Sequence, residues 1–189
     1  MKKALCYLLS LILVLFYIGT LALTYFSKVP IEYKMYYIDH SLQNWPGYDG
    51  LSYHLDTKIN FSGSDINKYT GRGWSRQEDW GTWTDESDSD IYINISNQIT
   101  SDLTFQFCAL SCMKPRSIKI SANGKEVSEA VISVNDTVAK VNLPKDIFQN
   151  SNLLKLTFHI GEVKPLSDVS AIQDSRKLGI GLKWMVISQ

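Results

Sequence analysis

The stretch Ile91-Tyr92-Ile93-Asn94-Ile95 places its three isoleucines at alternate positions, where an extended chain points them to one side. The same two-residue period recurs in residues 51–61, 103–107, 154–160 and 178–186. An amphipathic helix would repeat its apolar residues every 3.6 positions instead. The chain therefore consists mainly of half-buried β-strands. In the last strand, strict alternation puts five side chains on one face: Leu178, Ile180, Leu182, Trp184 and Val186.

Asn123-Gly124 lies between the apolar positions of Ile118-Lys119-Ile120 and Val127. This dipeptide suits a type I′ hairpin turn, whose two central residues both need positive φ. Turn residues separate about eight such strands, which is typical of an all-β fold. We expect an antiparallel sandwich of jelly-roll type, preceded by one N-terminal transmembrane helix.

Residues 4–26 carry no charge over 23 positions. A helix of that length reaches about 35 Å and can cross a hydrocarbon core of about 30 Å. A cleavable signal peptide is the alternative, but its apolar region is shorter and ends in small residues. The predicted organisation is a cytoplasmic tail (1–3), a transmembrane helix (4–26), a juxtamembrane linker (27–50) and an exported β-sandwich domain (51–189).

Lys2 and Lys3 precede the helix, and the positive-inside rule keeps such a tail in the cytoplasm. Lys28 and Lys34 on the other side weaken this asymmetry. Four tyrosines near the end of the helix suit the membrane interface: Tyr25, Tyr33, Tyr36 and Tyr37. The chain has 19 basic and 19 acidic residues, so its net charge gives no reason to expect a nucleic-acid partner.

The segment Gly71 to Thr84 is unusually dense in tryptophans, arginines and acids. An exposed indole can stack on the apolar face of a pyranose, and charged side chains can hydrogen-bond its hydroxyls. We therefore take six residues as candidate ligand contacts: Arg72, Trp74, Glu78, Trp80, Asp174 and Arg176. Strand parity turns Trp83 away from the other two indoles and towards the core, and Gly73 and Gly81 serve backbone geometry. Pure core architecture is the alternative for the whole segment, and Arg176 is favoured as a clamp on one of its carboxylates.

Catalysis is not indicated. Glu78 and Asp79 are adjacent, so on a strand they face opposite sides and make a poor acid/base pair. The three histidines, His40, His54 and His159, lack metal-ligand spacing. We expect no metal and no cofactor. Cys108 and Cys112 form a possible disulfide only if the chain turns between them, since an extended segment separates their Cα atoms by about 13 Å.

Two motifs resemble a known module. They are Gly73-Trp74-Ser75 with Glu78, Trp80-Gly81 and Trp83-Thr84, and the later run from Asp174 to Leu182. Together they are similar to the C-terminal periplasmic β-sandwich of bacterial phosphoglycerol transferase I, and to modules attached to surface-polysaccharide glycosyltransferases. The resemblance implies a bacterial inner-membrane protein with a periplasmic domain. The α/β catalytic domain of the transferase has no counterpart in this chain.

These observations predict a membrane-anchored, non-catalytic glycan-binding or accessory module for assembly or modification of surface polysaccharide or periplasmic glucan. One alternative is a protein-interaction subunit of a polytopic membrane glycosyltransferase or phosphoglycerol transferase. The other is a small periplasmic carbohydrate-active enzyme, which would need two carboxylates that converge beside the tryptophans.

Overall fold

The computed structural model describes residues 2–149, 151–163, 165, 167 and 175–189. The chain divides into two compact units, of which the first ends at Ile31 and the second is Glu32–Gln189. The first unit is helix α1 (Lys2–Phe26). Within the described residues it is the one helix long and apolar enough to cross a membrane. This composition and position are compatible with a single-pass anchor or a signal sequence.

The second unit begins earlier than the predicted boundary at residue 51. Helix α2 (Ile31–Tyr33) leads directly into a π-helical turn, Lys34–Ile38. Within and after this turn, Met35 and Leu42 are buried in the main hydrophobic cluster. Residues 32–50 therefore belong to the folded domain and are not a free linker, because apolar side chains in this stretch gain burial against the sandwich.

The described residues of the domain contain ten strands: β1 (Ser52–Tyr53), β2 (Ile59–Asn60), β3 (Thr82–Trp83), β4 (Asp88–Ile95), β5 (Leu103–Ser111), β6 (Arg116–Ala122), β7 (Lys125–Ile132), β8 (Thr137–Leu143), β9 (Leu153–His159) and β10 (Ile180–Ser188). One sheet has the order β1-β4-β9-β6-β7, and the other has the order β2-β10-β5-β8, with β3 also paired to β10.

The two sheets pack face to face, as a ring contact between them shows. The ring of Phe158 in β9 lies 6.1 Å from that of Phe105 and 5.4 Å from that of Phe107, both in β5. The predicted β-sandwich preceded by one long apolar helix is therefore confirmed at this level, whereas its jelly-roll topology stays a prediction.

The prediction that the sandwich is antiparallel throughout is wrong at one edge. Strand β1 pairs with β4 in parallel, with Ser52 opposite Asn94. A parallel pair needs a long crossover connection. Here the connection visits the other sheet through β2 and β3 before the chain returns in β4.

Strand β10 departs from the strict alternation expected for residues 178–186. Its pairing with β5 shifts register between Leu182 and Trp184, which marks a β-bulge. Beyond the bulge, Met185 and Ile187 are buried, and Trp184 is only partly covered. The extra residue thus removes Trp184 from the core face. By contrast, the predicted Asn123-Gly124 turn between β6 and β7 is confirmed, with φ of 49° and 82°.

Candidate functional site

The tryptophan-rich segment folds into a short hairpin. Bridges join Trp74 to Thr84 and Glu78 to Gly81, which leaves Asp79 and Trp80 at the turn. The amide of Glu78 donates a 2.8 Å hydrogen bond to the carbonyl of Gly81. A Cβ on Gly81 would lie 2.2 Å from the carbonyl oxygen of Leu182. Only glycine lets the hairpin approach strand β10 this closely.

Trp74 lies in the core. Its side chain is 4% exposed, its Nε1 donates a 2.7 Å hydrogen bond to the carbonyl of Asp90, and its ring is 5.3 Å from that of Phe61. The prediction that Trp74 is a sugar platform is therefore wrong, because protein already covers the ring. Gly73 has φ of +84°, and a Cβ there would meet the carbonyl of Asp88 at 2.2 Å. This glycine brings Trp74 into position.

The other two indoles of the segment pack on each other. Trp80 and Trp83 stand edge to face, with ring centroids 5.1 Å apart. Trp83 is buried with Leu178 in a second, smaller cluster, and Trp80 is half-buried against it. Gly181 makes room for the pair, since a Cβ there would lie 2.4 Å from Cη2 of Trp80. Of the three indoles, only Trp80 keeps substantial exposure.

Glu78 is held by two neighbours. Arg176 donates a 2.6 Å hydrogen bond to its Oε1, and Nε1 of Trp80 donates one of 2.8 Å to its Oε2. The hydrogen bond from Arg176 is the main reason that the pKa of Glu78 is lowered; burial opposes the shift, and the Trp80 bond adds to it. The clamp favoured for Arg176 is thus present in the fold. Asp174, the remaining ligand candidate near it, lies outside the described residues.

Arg72 faces two carboxylates on the outer side of the first sheet. Its Nε lies 3.2 Å from Asp90, and its Nη2 lies 3.6 Å from Asp88. Asp90 is 2% exposed and also contacts Lys155 at 3.0 Å and the hydroxyl of Thr157 at 2.7 Å. Burial lowers the pKa of Lys155, but the hydrogen bond and charge of Asp90 outweigh it, and the pKa is raised. Arg72 therefore helps to neutralise a buried charge and does not line the groove described next.

A polar groove of about 750 Å³ runs beside the hairpin. Three separate segments form its walls, which are lined by Gln43, Asn44, Ser62, Asn67, Trp74, Ser75, Arg76, Gln77, Glu78 and Asp79. Gln77 is fixed in it by its amide nitrogen, which donates to the carbonyls of Gly63 and Phe61. Gln43 is fixed in the same way by the carbonyl of Trp74. Hydrogen bonds to the backbone thus hold both glutamine side chains in the groove lining.

Arg76 and Asp79 are the charged groups that this groove leaves available. Both are exposed, and within the described part of the chain neither side chain has a hydrogen-bond or ion-pair partner. Sequence reasoning missed most of this site: its six ligand candidates include neither Asp79 and Arg76 nor the amides of Gln43, Asn44 and Asn67. No local signal marks them, because the groove exists only where three distant segments meet.

The two cysteines of the domain are separate in the structure. Cys108 and Cys112 are not joined, so the possible disulfide is not formed; Cys108 is in extended strand β5, and no turn brings the two together.

On the outer face of the first sheet, Ser121 Oγ lies 2.8 Å from Nε2 of His159, whose Nδ1 lies 2.8 Å from Asp88.

This Ser121–His159–Asp88 series has the composition of a hydrolase triad. Its serine, however, is 7% exposed and is paired on both sides, with Glu126 in β7 and Thr157 in β9. The strand ladders already use backbone N–H groups of the kind that would form an oxyanion hole. The arrangement therefore acts as a hydrogen-bonded brace across three strands.

Comparison with known proteins assigns the domain to a family. The model of a family described as a domain of unknown function (DUF7024) matches residues 50–189. No curated protein matches the chain.

Three solved structures are similar to part of this chain. A CBM36 domain of a multidomain xylanase from the hindgut metagenome of Trinervitermes trinervoides is 6% identical, with a TM-score of 0.47 over 70% of this chain and 96% of that one. The C-terminal CBM6 of LamC, a laminarinase from Zobellia galactanivorans, is 9% identical, with a TM-score of 0.42 over 70% and 100%. The uncharacterized protein lmo2446 from Listeria monocytogenes is 16% identical, with a TM-score of 0.38 over 70% and 10%.

Proposed function

We propose that this chain, which belongs to the DUF7024 family because the family model matches residues 50–189, binds glycan in the groove beside its tryptophan hairpin. The observation that carries the proposal is the pair of unpartnered charged groups, Arg76 and Asp79, within a groove otherwise lined by amides and hydroxyls. A hydroxyl-rich ligand suits such a lining, because it can both donate and accept hydrogen bonds.

Each polar group has a distinct part in this binding. The guanidinium of Arg76 donates to sugar hydroxyl oxygens, and the carboxylate of Asp79 accepts from sugar hydroxyl groups. The amides of Asn44 and Asn67, which also line the groove, can do either. Charged hydrogen bonds are roughly twice as strong as neutral ones, so Arg76 and Asp79 contribute most to affinity.

The domain acts in this proposal as a binding module without catalysis. Both oxygens of Glu78 already accept hydrogen bonds, from Arg176 and Trp80. A carboxylate held ionised in this way, with a lowered pKa, is unsuited to donate a proton as a general acid. Asp79 alone does not supply the two carboxylates that glycosidases need.

Helix α1 anchors the module in this proposal. The protein crosses a bacterial inner membrane once, with its N-terminus in the cytoplasm and its domain in the periplasm. Anchoring confines the groove to a thin layer above the bilayer, so that weak affinity suffices through high effective concentration. The resemblance to phosphoglycerol transferase modules suggests work in assembly or modification of periplasmic glucan or surface polysaccharide, beside a polytopic membrane enzyme.

The test is binding by the full chain in detergent micelles to an array of periplasmic glucan and lipopolysaccharide fragments, followed by isothermal titration of any hit. Arg76→Ala and Asp79→Asn should each weaken binding about tenfold, as expected for one lost charged hydrogen bond. Lys140→Ala is the matched control, since Lys140 is exposed on β8 and does not line the groove.

Absence of saccharide binding by the folded wild-type chain would overturn the proposal. Binding that is unaffected by both groove variants would place the sugar site elsewhere. Circular dichroism of each variant confirms that a loss of binding does not reflect unfolding.

A further inference from the structure

Five aromatic side chains that follow α1 form one continuous cluster, which we call the aromatic cluster: Tyr33, Tyr36, Tyr37, Trp45 and Tyr48. The ring centroids of Tyr33 and Tyr37 are 4.7 Å apart, and those of Tyr37 and Trp45 are 5.3 Å apart. Tyr48 stands edge-on to Trp45 at 5.4 Å. The rings thus support one another across residues that are not adjacent in sequence.

The aromatic cluster is fixed to the folded domain. Met35 is buried, and Tyr36 packs against the main hydrophobic cluster. The hydroxyl and amide of Ser41 both donate to the carbonyl of Met35, and the amide of Gln43 donates to that of Thr70 at 3.1 Å. These contacts make the aromatic cluster a defined surface of the domain rather than part of a loose tail.

Exposed apolar groups are concentrated in this region. Among the described residues of the second unit, eight large hydrophobic side chains are exposed, and four of them fall between residues 33 and 48: Tyr33, Tyr37, Ile38 and Tyr48. The other four are distributed over residues 113–138: Met113, Val131, Val134 and Val138. Tyr48 is 65% exposed and Ile38 is 58% exposed. Such a concentration is typical of a contact surface, because exposed hydrophobic residues on a face that meets only water are usually scattered singly.

The residue types of this surface and its short distance in sequence from α1 both indicate its partner. Tyrosine and tryptophan prefer the membrane–water interface, where their apolar rings and polar tips are both satisfied. Phe26 ends the apolar helix, and seven Cα steps separate it from Tyr33. Seven extended steps span at most about 25 Å. If α1 crosses a bilayer, the aromatic cluster therefore starts within reach of its headgroup layer.

We propose that the aromatic cluster docks the domain onto the headgroup layer of the bilayer that α1 crosses. This inference rests on the anchoring part of the proposed function and not on glycan binding. Gln43 and Asn44, which immediately precede Trp45, line the polar groove. Docking thus holds the groove close to the membrane surface.

Tryptophan fluorescence tests this docking directly, because α1 contains no tryptophan and every indole belongs to the domain. The full chain is reconstituted into phosphatidylcholine vesicles whose lipids are brominated near the top of the acyl chains. Bromine quenches only nearby indoles, so we expect quenching relative to unbrominated vesicles. Trp45→Phe should lose most of that quenching, whereas Trp184→Phe, the control for a half-buried indole in strand β10, should retain it.

Three outcomes overturn the inference. They are absence of quenching in the wild-type chain, equal quenching in Trp45→Phe, and protection of Trp45 by soluble saccharide without any effect of brominated lipid. The last result would assign the aromatic cluster to sugar binding. Arg76→Ala should leave lipid quenching unchanged, so failure of groove binding and failure of docking give different results. Trp45→Phe keeps an aromatic ring, and circular dichroism checks that it folds.

Discussion

Arg176 donates a 2.6 Å hydrogen bond to Glu78 across 98 residues of sequence. The other carboxylate oxygen of Glu78 accepts a 2.8 Å bond from the indole of Trp80. Glu78 is at the turn of the tryptophan hairpin, and Arg176 precedes the final strand β10. The contact therefore ties the wall of the groove to the strand on which the hairpin packs.

Glu78→Gln should destabilise the fold at neutral pH and not in acid. The pKa of Glu78 is lowered below its ordinary 4.5 in the folded state. Its contribution is therefore present above pH 4.5 and is lost as the pH falls through the lower, folded value. The side chains of Glu78 and Arg176 are 30% and 52% exposed, so solvent screening limits the effect to about 1 kcal/mol or less.

Urea unfolding of wild type and Glu78→Gln at pH 7 and pH 3 measures this difference. Asp146→Asn, which breaks the more exposed Lys125–Asp146 pair, serves as the control and should change the free energy of unfolding less. A deficit in Glu78→Gln that is as large at pH 3 as at pH 7 would contradict the electrostatic explanation.

Gly73→Ala should destabilise the domain by more than about 2 kcal/mol, because it combines positive-φ strain with a backbone clash. Its φ is +84°, and the added Cβ would lie 2.2 Å from the carbonyl oxygen of Asp88. Gly63→Ala is the matched control, since the nearest atom to its added Cβ is 3.9 Å away and its φ is −106°. Thermal unfolding followed by circular dichroism should separate the two; equal melting temperatures would show that the segment relaxes freely.

Asp90→Asn should cost about 2–3 kcal/mol, because it leaves the partners of a buried carboxylate uncompensated. Asp90 is 2% exposed and pairs with both Arg72 and Lys155. Asp88→Asn is the comparison, since the side chain of Asp88 is 36% exposed and its loss should cost less. Urea unfolding of both variants at pH 7 gives the free energies; equal losses would argue against burial as the cause.

Cys108 should react slowly with iodoacetamide in the native protein and quickly after unfolding in urea. Burial raises the pKa of its thiol above the ordinary 9.0, so little thiolate is present at pH 8. Cys112 is only partly buried and should label before Cys108. Peptide mass spectrometry resolves the two sites. A linked Cys108–Cys112 peptide without reductant would contradict the unbonded arrangement.

Local patterns predicted the parts of the fold that depend on neighbouring residues. The alternation in residues 91–95 and 103–107 anticipated β4 and β5, and Asn123-Gly124 anticipated the hairpin between β6 and β7. Alternation failed at Trp184 because a one-residue bulge inverts every face beyond it, and nothing in the local composition marks that bulge.

The tryptophan segment likewise combines features that local sequence predicts with features that only distant residues decide. Its density in indoles predicted a ligand site, but Trp74 lies in the core because a hydrogen bond to Asp90 and the ring of Phe61 enclose it. The groove beside it depends on three segments, and one of them, around Gln43, falls in the predicted juxtamembrane linker. Residue type alone does not reveal which of several similar side chains is covered.

The sequence by itself determined the strand period, the apolar helix and the glycine turn, because these depend on covalent geometry and on residues a few positions apart. Tertiary structure alone decided which indoles are buried, which carboxylates are paired and where Arg76 and Asp79 are left open to solvent. The physical reason is that burial and electrostatic pairing are set by atoms from distant segments, such as Arg176 against Glu78, whose meeting depends on the packing of the two sheets.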